Sequence, residues 1–290
     1  MGALLYYLSL PFIYGIALLP FPLLYVLSDA MQLLLFGVFG YRLKVVRANL
    51  RNSFPEKSEA ELKAIELEFR RWFCDLMVET IKTLTITPTQ VNRRISAEGT
   101  EVLRTYYEAR QSVIIVMGHW GNWELGGARF SQLGLHHLNV IYHPLEHPYF
   151  DRLFIRMRTR LGNGLYPMND TLRCMLRDRR NLTATAFIAD QTPPPEHAYW
   201  TTFLHQDTPV FRGTEAIARK LGYPVVYLGM DQPRRGHYTM RFELLEADPA
   251  RTAEGEISER HTRRLEEDIR RHPAIWLWTH KRWKHGRMKG

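Results

Sequence analysis

The run Val113-Ile114-Ile115-Val116-Met117 breaks into Gly118-His119-Trp120-Gly121-Asn122-Trp123-Glu124-Leu125-Gly126-Gly127. Five apolar, mostly β-branched residues suit a strand covered on both faces, as in a helix-flanked sheet. Two further runs look alike: 183–189, ending at Asp190, and 224–230, which follows a helical stretch at 215–221 stopped by Gly222. Ser58-Glu59-Ala60-Glu61 reads as a capping box, and Leu62, Ile65, Phe69, Trp72, Phe73 and Leu76 follow at helical spacing, so a long helix is expected to about Leu84. Residues 257–271 read as a charged amphipathic helix, and Ile275-Trp276-Leu277-Trp278 as either a last short strand or an apolar anchor against the core. Strands alternating with helices indicate α/β layers, here a mixed sheet flanked by helices.

The first forty-one residues differ from the rest. Asp29 is their only charged side chain, and 3–27 is apolar almost throughout, enough to span a bilayer. No Lys or Arg precedes the apolar run and no small-residue cleavage pattern surrounds Asp29, so a cleavable signal peptide fits poorly. Pro11, Pro20 and Pro22 argue against one straight helix and leave a kinked span or an oblique hairpin with 30–41. Arg42, Lys44, Arg47 and Arg51 follow at once, so the remainder is expected on the cytoplasmic side of the membrane. The expected division is an anchor at 1–41 and one globular domain at 42–290.

Hydrophobic residues at 45% of 290 support a real core and exclude global disorder. A net charge of +9 indicates an acidic partner, whether lipid head groups, an acidic carrier protein or nucleic acid. The basic residues are scattered and an apolar segment leads the chain, which disfavours a nucleic-acid reader. Cys74 and Cys174 form neither a metal pattern nor a disulfide framework.

The buried run at 113–117 ends where open α/β sheets place their ligands. Gly118 and Gly121 permit a tight turn, and a helix starting near Asn122 would put Glu124 in its first turn, within reach of His119. A histidine held by a carboxylate is an oriented base able to take a proton from an attacking hydroxyl. The same spacing fits a solvated loop with Trp120 and Trp123 capping the core, and H-x-x-x-x-E alone does not decide between them.

G-H-W-G-N-W-E-L-G at 118–126 resembles the H-x-x-x-x-(D/E) site of bacterial lysolipid acyltransferases, in the Glu-bearing form of the late acyltransferases of lipid A synthesis. Three further segments resemble that family in order and spacing: Arg47-Ala48-Asn49-Leu50 with Phe54-Pro55-Glu56; Asp190-Gln191 with Thr202-Phe203-Leu204 and Gly213-Thr214; and Trp278-Thr279-His280-Lys281-Arg282-Trp283-Lys284. The resemblance covers nearly the whole chain. It implies a sheet and helices around an acyl groove, an acyl carrier protein as thioester donor, a membrane lipid acceptor, and neither metal nor cofactor. The Phe-Pro-Glu-Gly block of glycerophospholipid acyltransferases is missing here, which disfavours a glycerol-3-phosphate acceptor. Amino-acid lipids and lysophospholipids remain alternative acceptors to a lipid A precursor.

The expected catalytic pair is therefore His119 as base with Glu124 as its orienting partner, acting by direct transfer, since no G-x-S-x-G elbow offers a nucleophile. Arg158 and Arg160 match the family's basic positions after that motif and are candidate substrate contacts, with solvated arginines as the plain alternative. Asp190 is read as orienting an arginine or the substrate, or as serving turn chemistry. Arg212 and Gly213 open a helix whose amino end is read as an anion site or a plain cap. His143 and His147 have a zinc-like spacing, but Pro144 and Pro148 spoil the helix that zinc ligation would need.

Overall fold

The computed structural model describes residues 2–285, so the last five residues of the expected globular domain lie outside the described residues. In chain order the elements are α1 (Gly2–Leu18), α2 (Phe21–Gln32), α3 (Leu43–Ser53), α4 (Glu59–Lys82), α5 (Pro88–Arg94), β1 (Ile95–Glu98), α6 (Thr100–Glu108), β2 (Val113–Met117), α7 (Trp123–Phe130) and β3 (His137–Tyr142). There follow α8 (Pro148–Thr159), β4 (Gly164–Pro167), α9 (Thr171–Arg177), β5 (Thr183–Ile188), β6 (Ala198–Phe203), β7 (Gln206–Phe211), α10 (Gly213–Leu221), β8 (Val225–Arg234), β9 (His237–Glu246) and α11 (Glu256–Arg271).

Seven strands form one sheet in the order β1-β9-β8-β2-β5-β3-β4, while β6 and β7 form a separate hairpin. Every neighbouring pair in the large sheet is parallel except β8 with β9, so the sheet is mixed, as expected. Strand β2 lies in the middle and is buried along its whole length. Its side chains alternate between two cores: Ile114 and Val116 pack on one face, Val113, Ile115 and Met117 on the other. A strand with both faces covered has no use for polar residues, which is why this run is uniformly apolar.

Helix α4 starts at the expected capping box, where Ser58 accepts from the Glu61 amide and Glu61 reaches back to the Ser58 amide. Gly222 stops α10 at φ 65°, a left-handed conformation that costs glycine little. Residues 275–278 are not a sheet strand; Trp276 makes an isolated antiparallel bridge with Trp120.

The N-terminal segment breaks at Leu19–Pro20 and resumes as α2, which runs on into a π-helical stretch at Leu33–Val38. Phe21–Val38 is long and apolar enough to cross a bilayer. Both helices nonetheless pack one side against the domain: Ala17, Phe21, Leu24 and Phe36 are buried in its cores. Lys82 at the end of α4 donates to the carbonyls of Ala17 and Leu19, which the break leaves without helical partners. Ser28 donates to Asp75, and Arg235 bridges Asp29 and Asp75. The opposite side presents Leu4, Leu8, Phe12, Leu23, Val26 and Val38 outward.

Candidate active site

Strands β2 and β5 are parallel neighbours with Met117 opposite Ile188, and the Ala189 amide donates to the Met117 carbonyl. The chain leaves both strands at the same level, which brings His119 and Asp190, each two residues past its strand, side by side at the carboxyl edge of the sheet. His119 Nδ1 lies 2.6 Å from Asp190 Oδ1. Asp190 Oδ2 accepts from the His119 backbone amide at 2.8 Å and from Trp276 Nε1 at 2.8 Å. Burial works against the charge of Asp190, but His119 and these hydrogen bonds outweigh it and hold the carboxyl at about 2. An ionised carboxylate only accepts, so Nδ1 carries the proton and Nε2 is the nitrogen left for other contacts. Gln191 Nε2 stands 3.4 Å from that nitrogen, and Trp123 packs edge-on at 4.7 Å between ring centroids.

The loop is clamped from several sides. Gly121 has φ 74°, and a Cβ there would lie 1.8 Å from the Met230 carbonyl oxygen, so no other residue fits. Its amide donates to the Ile275 carbonyl, and the Leu277 amide donates to the His119 carbonyl. Asn122 caps α7 by accepting from the Leu125 amide, and its Nδ2 donates to Glu79 Oε2 at 2.7 Å. Glu79 is fully buried and also accepts from Tyr25 of α2 and Tyr238 of β9. Burial pushes its carboxyl up, against the pull of those donors.

Glu124 does not take the place expected for it. With Asn122 as the cap, Glu124 lies in the first turn of α7 and its carboxylate points to α8, where Arg158 grips it through Nη2 at 2.5 Å and Nε at 3.0 Å. The imidazole nitrogen it was expected to orient is already held by Asp190. Burial opposes the charge of Arg158, and Glu124 outweighs that, so the pair is a stable ionic fork.

His119, Trp123, Glu124, Arg158 and Gln191 line one cavity of about 420 Å³. Away from these groups its walls are mostly apolar, with Phe130, Leu138, Val140, Met157, Leu161 and Leu228 among them, while His143, Asp151 and Asn163 add polar groups. The arrangement offers an oriented imidazole, a paired guanidinium and a hydrophobic recess in one space.

The family of bacterial lipid A biosynthesis acyltransferases matches over residues 2–285. This chain belongs to that family.

Among individual relatives, the lipid A biosynthesis myristoyltransferase of Escherichia coli (strain K12) is 24% identical over 156 residues, 54% of this chain. That match spans about half of the relative, 48% of its length. The lipid A biosynthesis palmitoleoyltransferase of Escherichia coli (strain K12) is 24% identical over 270 residues, 92% of this chain and 86% of that protein. A lipid A biosynthesis acyltransferase of Haemophilus influenzae (strain ATCC 51907 / DSM 11121 / KW20 / Rd) is 23% identical over 286 residues, 97% and 90%.

The remaining residues that the sequence singles out divide by position. Gly213 lines the cavity at the start of α10. Arg212 turns away to pair with Glu254, and its side chain is half exposed. Arg160 donates to the carbonyls of Thr83 and Ile86 and so ties α8 to the turn after α4, outside the cavity lining. Asp190 lies behind His119 and not on the cavity wall, which suits orientation of the ring and not direct contact with a ligand. Trp276, Asn122 and Glu79 were not singled out as site residues. No local pattern marks them, because their partners come from distant parts of the chain.

Proposed function

We propose that this chain transfers a fatty acyl group from an acyl thioester to a hydroxyl of a lipid A precursor, with His119 as general base and Asp190 as the residue that orients it. The supporting observation is the His119–Asp190 contact at the edge of an apolar recess in a chain of this family. The acceptor oxygen attacks the thioester carbonyl while His119 Nε2 takes its proton. The resulting imidazolium is stabilised by Asp190 and returns the proton to the leaving thiolate as the C–S bond breaks. Base assistance of this kind contributes roughly 10² to 10⁴ in rate.

Glu124 remains in the proposed site with a changed role. It fixes the Arg158 guanidinium at the cavity, where the charge can stabilise the oxyanion that develops on the carbonyl. Gly213, at the amino end of α10, is proposed to approach the acyl donor or acceptor closely. The donor is proposed to be acyl carrier protein, an acidic partner suited to a chain of net charge +9. The outward apolar sides of α1 and α2 are proposed to seat the enzyme on the cytoplasmic face of the inner membrane, where its acceptor resides. The relatives named above, each called a lipid A biosynthesis enzyme, support a lipid A precursor as acceptor.

The test is transfer from acyl carrier thioester to a purified lipid A precursor, followed by mass spectrometry of the lipid product. Acylated precursor supports the reading; product formed only on an amino-acid lipid or a lysophospholipid would move the acceptor to that class.

A further inference from the structure

Behind Asp190, which does not line the acyl recess, lies a small cell of about 10 Å³. Asp190, His261 and Arg282 line it, together with Tyr227, Thr262 and Leu265. Arg282 is 2% exposed, and its Nη2 donates to the Pro209 carbonyl at 2.7 Å. Its Nε and Nη1 have no hydrogen-bond partner among the described residues, nor has Nε2 of His261, which is 4% exposed. Three buried polar atoms without partners around one space are unusual, because a buried donor left unbonded loses its hydration without return. Roughly 10–15 Å³ of such space holds one water, provided two to four polar groups converge on it. Here they do: guanidinium N–H groups donate, and Asp190 Oδ1, which meets only His119, keeps a free lone pair.

We infer that one water occupies this cell and joins Arg282 and His261 to Asp190, which makes Arg282 a positioning residue for the Asp190–His119 pair. The groups facing Asp190 are His119 and Trp276 in front, with His261 from α11, Tyr227 from β8, and His280 and Arg282 from the C-terminal segment around it. Burial holds His261 and His280 well below the ordinary histidine range, each at about 4, so both are neutral near pH 7. Burial also lowers Arg282, to about 10, and Asp190 opposes that shift. Arg282 is thus the cation of this group on the far side of Asp190. Its charge, carried forward through the water, partly offsets the negative charge that Asp190 presents to His119.

The water is independent of any reading of the reaction, whereas the positioning role rests on His119 being the base, which loss of transfer in His119→Ala tests separately. The first measurement is a high-resolution crystal structure of the full chain. It is expected to show one water roughly 2.7–3.2 Å from Asp190 Oδ1 and from an Arg282 nitrogen; a dry cell overturns the inference. The second is the pH profile of kcat/KM. Removing the cation in Arg282→Met should move the acid limb up by roughly one pH unit, and Arg282→Lys should bring it back. A uniform loss of rate with the limb unmoved overturns the positioning role. Should Arg282→Met fail to fold, occupancy of the cell in the unsubstituted chain decides for or against the site.

Discussion

Arg158 of α8 grips Glu124 of α7 through two nitrogens, at 2.5 and 3.0 Å, across 34 residues of sequence. Two groups that act as one fork should not lose function additively. Glu124→Gln and Arg158→Gln are each expected to cut kcat/KM by about 10- to 100-fold, a cost of about 1.4–2.8 kcal/mol at the transition state. The double variant should be little worse than the poorer single. Fully multiplicative losses in the four-way kinetic cycle would show that the two residues serve separate steps.

The N-terminal helices have one side in the protein and one outside it, and the two can be tested apart. Replacing Leu4, Leu8, Phe12, Leu23 and Val26 by Gln leaves the buried Phe21 and Leu24 in place. Such a protein should move toward the soluble fraction with its Tm nearly unchanged. Deleting residues 1–28 should instead lower Tm, because it removes Phe21 and Leu24 from the core and Tyr25 from Glu79. Fractionation and thermal melts of both proteins check this, and full membrane retention by the five-Gln variant would count against the outward side as the seat.

Helix α8 carries Arg152 and Arg156 one turn apart and exposed, while the ion pair described for this helix is that of Arg158 with Glu124. They lie on the helix whose Phe154, Met157 and Arg158 line the cavity, and are proposed as a contact for the proposed acidic carrier protein. Arg152→Glu with Arg156→Glu is expected to raise KM for acyl carrier several-fold with kcat largely kept, and added salt should weaken the unsubstituted enzyme in the same way. An unchanged KM, or an effect on kcat alone, would remove this face from the docking surface.

Asp231 and Glu68 hydrogen-bond His272 and raise it to about 9, against the effect of burial. A histidine with a raised folded-state pKa stabilises fully below its unfolded value of about 6.5, and that contribution is lost as pH rises toward 9. Glu68 is exposed, so screening reduces the effect to about 2 kcal/mol at most. Denaturant melts between pH 6 and 9 should therefore show falling stability, with a shallower slope in His272→Gln. Equal slopes would mean that His272 does not carry the titration.

The parts of this fold that were legible in the sequence have local causes. The capping box of Ser58 and Glu61 starts α4, Gly222 ends α10, and the apolar runs of β2, β5 and β8 mark strands in the sheet interior. Strand β9 went unread although Tyr238, Met240 and Phe242 alternate inward, because polar residues interrupt them and no uniform run forms. Strand β3, with His137 and Asn139 near its start, gave no such signal either. At the site, sequence proximity misled. Five positions separate His119 from Glu124, yet the cap at Asn122 sends Glu124 to α8. The partner of His119 lies 71 residues on, and only the parallel register of β2 with β5 brings it there.

The most direct test compares kcat/KM for acyl transfer in folded Asp190→Asn with that of the unsubstituted enzyme, His119→Ala serving as the reference for complete loss of the base. A neutral amide in place of the carboxylate could no longer stabilise an imidazolium or fix the Nδ1–H tautomer, so a fall of about 10² to 10⁴ is expected, approaching that of His119→Ala. Transfer within a few-fold of normal by folded Asp190→Asn would contradict the assignment of Asp190 as the residue that makes His119 a base.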